Sequence, residues 1–87
     1  MQYETYEVYT INENGDDYYV DLCVAVQGLL ECGFAMDDTI YVFSCADCWY
    51  TLPDGSMEYG TPAGFEPQLI RTLTIADAIR ETGCQTE

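Results

Sequence analysis

Residues 39–44, Thr-Ile-Tyr-Val-Phe-Ser, are the most strand-like run in the chain, and their reading decides the fold. β-branched and aromatic side chains fill the run, and Asp37-Asp38 turn the chain into it. In an extended backbone Ile40, Val42 and Ser44 project to one face and Tyr41, Phe43 and Cys45 to the other. Both faces are apolar. That pattern predicts a central strand, covered by helix on at least one side.

Towards the C-terminus, residues 48–52 (CWYTL) read as a second strand. Pro53-Asp54-Gly55 is turn chemistry, and residues 56–59 return to complete a hairpin. Residues 60–67 (GTPAGFEP) form a loop, and residues 68–73 (QLIRTL) an edge strand. Thr74 opens a short final helix, with Asp77 at its third position as in a capping box with Asp for Glu. Ile75, Ala78 and Ile79 form its apolar stripe, and Gly83 stops it.

Towards the N-terminus, residues 3–12 (YETYEVYTIN) alternate as a strand does. Two signals compete after it. Asn14-Gly15 is the strongest short hairpin signal. Tyr19, Leu22, Cys23, Val26, Leu29 and Leu30, however, recur at i, i+3, i+4 spacing, with Asp17, Asp21, Gly28 and Glu31 opposite them. The longer pattern outweighs the shorter and predicts a helix over residues 17–32, capped by Asp16 and ended by Gly33. The chain therefore reads as an α+β domain over residues 1–87: a small antiparallel β-sheet of three to five strands with two helices packed on it.

Charge dominates the composition. Sixteen acids face two bases, Arg71 and Arg80, for a formal charge of −14 in 87 residues, with no lysine or histidine. Apolar and aromatic residues still make up 48% of the chain, which is too many for a disordered acidic tail. Solubility alone asks for a net charge of only about 2 to 8 on a small domain; adaptation to high salt is the rival explanation. Such a surface repels nucleic acid and anionic membranes, and attracts proteins that use Lys and Arg to meet phosphates. Carboxylates on adjacent same-face strand positions stand about 6.5 Å apart, near the phosphate spacing of one nucleic-acid strand. A domain roughly 25–30 Å across carries this charge within a few-fold of the line density of DNA.

The inventory is poor in catalytic chemistry. No His or Lys is available as a base near neutrality, and the acidic field raises thiol pKa values rather than lowering them. With sixteen acids, carboxylate pairs arise by chance and carry no weight as a hydrolase signature. No enzyme is expected, and no cofactor. Cys45-Ala-Asp-Cys48 is a CxxC between two strand-like runs, most simply a turn with two ordinary thiols. Zinc and redox readings are the alternatives, zinc needing two more ligands from Cys23, Cys32 and Cys84. Residues 12–17 (NENGDD) have calcium-loop character, but neither the glycine nor the terminal glutamate is in register. No metal site is expected.

No run of about 18 apolar residues is present, so no membrane span is expected. The start MQYETYE lacks the basic-then-apolar order of a secretory signal. An intracellular protein follows as the default, with its five cysteines as reduced thiols, several of them small core groups.

In size, acid excess, scarcity of bases and lack of catalytic groups, the chain resembles small acidic phage-encoded anti-CRISPR and anti-restriction proteins, many of which act as nucleic-acid mimics. The resemblance covers the whole chain in character and transfers no residue by position. It implies an inhibitor in the cytoplasm of an infected bacterial host. Its partner would be a basic nucleic-acid-binding protein, such as a Cas effector subunit or a restriction enzyme. An acidic module or antitoxin for another basic protein, and a CxxC metal or redox module, are the alternatives. A tyrosine-rich strand also leaves room for a homodimer edge. The expected partner-binding acids are Glu4 and Glu7 on the first strand, Asp16, Asp17, Asp21 and Glu31 on the first helix or its cap, and Asp37 and Asp38 beyond it.

Overall fold

A computed structural model describes residues 3–62 and 64–84. Met1, Gln2, Ala63 of the loop read at residues 60–67, and residues 85–87 lie outside them. Six elements follow in order: β1 (Glu4–Thr10), α1 (Leu22–Glu31), β2 (Thr39–Thr51), β3 (Met57–Gly60), β4 (Gln68–Thr74) and α2 (Ile75–Thr82). The result is an open, four-stranded antiparallel sheet with two helices, an α+β fold as the sequence predicts.

The strand of residues 39–44 is central, but it does not stop at Ser44. It runs unbroken for 13 residues through the CxxC to Thr51, merging the two strands expected there. Nothing between Ser44 and Cys48 breaks a strand, because neither Gly nor Pro interrupts residues 44–48. β1 pairs along Tyr41 to Asp47 of β2, and β4 pairs along Thr39 to Ser44. The hairpin partner β3 pairs only with Cys48 to Thr51. A bulge leaves Ile70 as an extra residue between the Val42–Arg71 and Phe43–Leu69 pairs.

The sheet buries side chains on both faces. On the first face Ile40, Val42 and Leu73 pack against Val26 and Leu29 of α1 and Ile75 and Ala78 of α2. On the second face Val8, Phe43 and Cys45 form a smaller cluster flanked by Tyr6 and Tyr41. Residues 12–16 reach this face, for a methyl group on Gly15 would stand 3.6 Å from the Phe43 ring. Buried Thr10 fixes that loop: its hydroxyl donates to the Asp16 carbonyl at 2.6 Å and accepts from the Asn12 N–H at 3.0 Å.

The helix expected over residues 17–32 is shorter. It begins at Leu22, and its N-cap is Asp21, whose carboxylate accepts from the Val24 N–H at 3.1 Å. Asp16 is not the cap. The preceding segment turns back instead, through a turn closed by the Gly15 N–H on the Asn12 carbonyl rather than one centred on Asn14-Gly15, and Tyr19 makes a single bridge to Tyr9 through N–H···O bonds of 2.8 and 2.7 Å. Gly15 and Asp17 both turn through positive φ, a conformation that glycine and aspartate tolerate best. The second helix behaves as read. Thr74 accepts from the Asp77 N–H, and Gly83 ends the helix in the left-handed region. Two further N–H groups of its first turn, on Ile75 and Ala76, donate to the carbonyls of Asp38 and Met36.

One thiol expectation needs correcting. Cys23 in the first turn of α1 and Cys84 just beyond α2 form a disulfide, their Cα atoms 5.6 Å apart. Packing of α1 against α2 brings together two positions 61 residues apart, a proximity that no local pattern encodes. Cys45 and Cys48 are buried, as small core groups are, while Cys32 is exposed. No described helix is long and apolar enough to cross a membrane.

Candidate protein-binding face

The eight expected acids do not converge on one face. Strand alternation sends Glu4 to the second face of the sheet, with Tyr6 and Val8, and Glu7 to the helix-bearing face, where it accepts from the Tyr9 hydroxyl at 3.3 Å. Asp16 and Asp17 sit on the turn between β1 and α1. Asp21 and Glu31 stand at opposite ends of α1, and Asp37 and Asp38 on the turn into β2. All are exposed except Asp38, which is half-buried and braces its turn by accepting from the Ala35 N–H at 2.7 Å. Among the described residues no carboxylate is buried, so the negative charge wraps the surface.

Positive charge is confined to one corner. Arg71 of β4 reaches both oxygens of Glu81 at 3.0 Å, and Arg80 pairs with Asp77 within α2. Plain alternation makes the first contact possible, since Arg71 lies two residues before the core residue Leu73, opposite Val42, and so points to the helix-bearing face. β1, β2, β3 and α1 carry carboxylates and no base.

What the fold does assemble lies at the far end of β2, where Glu4 is the one expected acid that takes part. Glu4 stands directly across from Asp47, a like-charged cross-strand pair that costs a few tenths of a kcal/mol or more when unrelieved. Hydroxyls relieve it. Tyr59 donates to Glu4 at 2.7 Å, and Tyr6 and Thr61 donate to Asp47 at 3.3 and 2.7 Å. The hydrogen bond that Tyr59 donates to the Glu4 carboxylate holds its proton in place and pushes the hydroxyl up to about 12, with burial and the repulsion of two negative charges adding to it. Burial, followed by the nearby Asp47 carboxylate, raises the Cys45 thiol as well, leaving it a poor nucleophile.

Two positions beyond Asp47 on the same side of the strand is Trp49, paired across the hairpin with Tyr59, their ring centroids 5.4 Å apart and tilted by 58°. Met57 follows on that side, opposite Thr51. Trp49, Tyr59 and Met57 remain 59%, 43% and 63% exposed. On the reverse side Tyr50 donates to Glu58 at 3.1 Å, which raises the Tyr50 hydroxyl. Among the described residues β3 pairs with β2 alone. The hairpin is therefore an arm, and it helps stretch the molecule to 49 × 22 × 21 Å, longer and thinner than the 25–30 Å expected. The sequence held the signal: once Pro53-Asp54-Gly55 fixes the turn, alternation places Asp47, Trp49 and Tyr59 together.

The CxxC is not built as a chelate. Cys45 and Cys48 are three residues apart on a continuous strand and so project from opposite faces. Among the described residues no group of three or more His, Cys, Asp or Glu is placed to hold a metal. Comparison with protein-family models, curated proteins and solved structures finds no match to this chain.

Proposed function

We propose that this protein is an acidic inhibitor that occupies the nucleic-acid-binding surface of a host defence complex, a CRISPR-Cas effector or a restriction enzyme, as a nucleic-acid mimic. The observation that carries this reading is the combination of a −14 charge with a well-cored fold in which no described carboxylate is buried. Along the 49 Å axis this amounts to about one net charge per 3.5 Å, half the line density of duplex DNA and close to that of one strand. Carboxylates fixed on strands and helix ends meet Lys and Arg as phosphates do. A preformed scaffold also avoids the deformation cost that bound DNA pays.

The test is competition. A purified Cas effector or restriction endonuclease is titrated with target DNA in the presence and absence of this protein, at two salt concentrations. Mutually exclusive binding that weakens steeply with salt supports the reading. DNA and this protein binding the same complex together, each at its unperturbed affinity, sinks mimicry.

A further inference from the structure

We infer that the exposed face of the β2–β3 arm is the docking surface for an arginine-bearing segment of a basic protein, with Trp49 and Tyr59 stacking the guanidinium and Glu4 and Asp47 receiving its N–H groups. This rests on the proposed reading of a basic partner and names what that partner presents. Trp49 and Met57 give the surface its exposed apolar area, at 59% and 63%, with Thr51 between them. At its inner end lie two carboxylates whose protein donors use one oxygen each, Oε2 of Glu4 and Oδ1 of Asp47. Among the described residues no side chain donates to the other oxygen of either.

Arginine fits this arrangement better than lysine does. A planar guanidinium stacks on an indole face while its fork spans carboxylate oxygens; an ammonium is a compact, strongly hydrated charge without that geometry. The Trp49 and Tyr59 rings are already held by the hairpin register and by the Tyr59–Glu4 hydrogen bond, so little ordering remains to be done on binding. A second copy of this chain is a poor occupant. It brings another −14 charge, and its two arginines are engaged with Glu81 and Asp77.

Trp49 is the only tryptophan in the chain and reports on its own environment. The probes are a nona-arginine and a nona-lysine peptide of equal charge, titrated at low salt by calorimetry and by tryptophan fluorescence. Nona-arginine is expected to bind about two- to five-fold more tightly and to shift or quench the Trp49 emission. Trp49→Ala is expected to lower nona-arginine affinity to the nona-lysine level, and Trp49→Phe to keep part of the preference, with circular dichroism checking both folds. Equal affinity for the two peptides, unmoved emission and an indifferent Trp49→Ala would overturn the arm as docking surface, while leaving a basic partner standing. Concentration-dependent dimerisation abolished by Trp49→Ala would overturn it in favour of a second copy. Binding of neither peptide would remove the basic-partner reading, and this inference with it.

Discussion

The phenol of Tyr19 closes on Gly28, so that a methyl group on Gly28 would stand 2.6 Å from the phenolic oxygen and 3.0 Å from the ring carbon that bears it. Tyr19 belongs to no helix. It is held in an extended bridge to Tyr9 and reaches across to α1 from outside. Glycine in mid-helix costs about 1 kcal/mol relative to alanine; here the missing side chain is the seat of an aromatic ring.

Gly28→Ala should gain about 1 kcal/mol of helix propensity and lose about 1–3 kcal/mol to the overpacked contact, for a net loss of up to about 2 kcal/mol. Urea unfolding of Gly28→Ala, of Tyr19→Leu and of the pair measures the coupling. The double variant should lose less than the sum of the two singles. Strict additivity would mean that the two residues do not meet.

Helix capping separates two neighbouring aspartates. Asp21→Ala should cost about 1 kcal/mol through the lost bond to the Val24 N–H. Asp16→Ala, which loses only an exposed side-chain contact with Asn14, should cost a few tenths. Thermal unfolding of both variants gives the order, and an Asp16 cost equal to that of Asp21 would contradict the observed start of α1.

The Cys23–Cys84 disulfide closes a loop with a sequence separation of 61 residues. Chain-entropy reasoning assigns such a crosslink about 4 kcal/mol of stability. The urea midpoint should fall markedly in reductant for the parent chain and not at all for Cys23→Ser/Cys84→Ser. A parent midpoint indifferent to reductant would mean that the bridge contributes nothing.

Alkaline pH should unfold this protein early. The Tyr6 and Tyr9 hydroxyls are raised chiefly by burial, those of Tyr50 and Tyr59 chiefly by hydrogen bonds to carboxylates, and Tyr59 reaches about 12. In the unfolded chain all four ionise near 10. Between those limits the folded state binds more protons than the unfolded state, so stability falls as pH rises from 10 towards 12. Tyrosinate absorbance should show a late-titrating phenol that disappears in Tyr59→Phe and moves to lower pH in Glu4→Gln. If Tyr59 ionises together with the exposed tyrosines, its bond to Glu4 does not form in solution.

Much of this architecture is legible from residues 39–44 outward. Alternating apolar residues announce the central strand, Pro53-Asp54-Gly55 the hairpin, and Thr74 with Asp77 the last helix. The start of the first helix is not legible, because Tyr19 satisfies the helical spacing from a residue that is not helical. A periodicity count cannot distinguish a side chain on a helix from one leaning on it. The Glu4–Asp47–Trp49–Tyr59 grouping fails to appear for another reason. Its members come from three strands: the hairpin turn already sets Trp49 beside Tyr59, but Glu4 joins Asp47 only through the register of β1 on β2, which no local pattern sets. Counting acids along the chain favours the crowded stretch at residues 13–21, while the fold places its most organised carboxylates elsewhere.

A single strand in this molecule has two mechanical characters. Residues 41–44 of β2 are clamped between β1 and β4 beneath the helices, whereas residues 48–51 are held by β3 alone. Amide exchange along β2 should therefore be slow near Val42 and fast near Tyr50, with the change falling close to Asp47. The outer half can twist or melt locally while the inner half holds, letting the arm adjust its shape to a surface without unfolding the body that carries it.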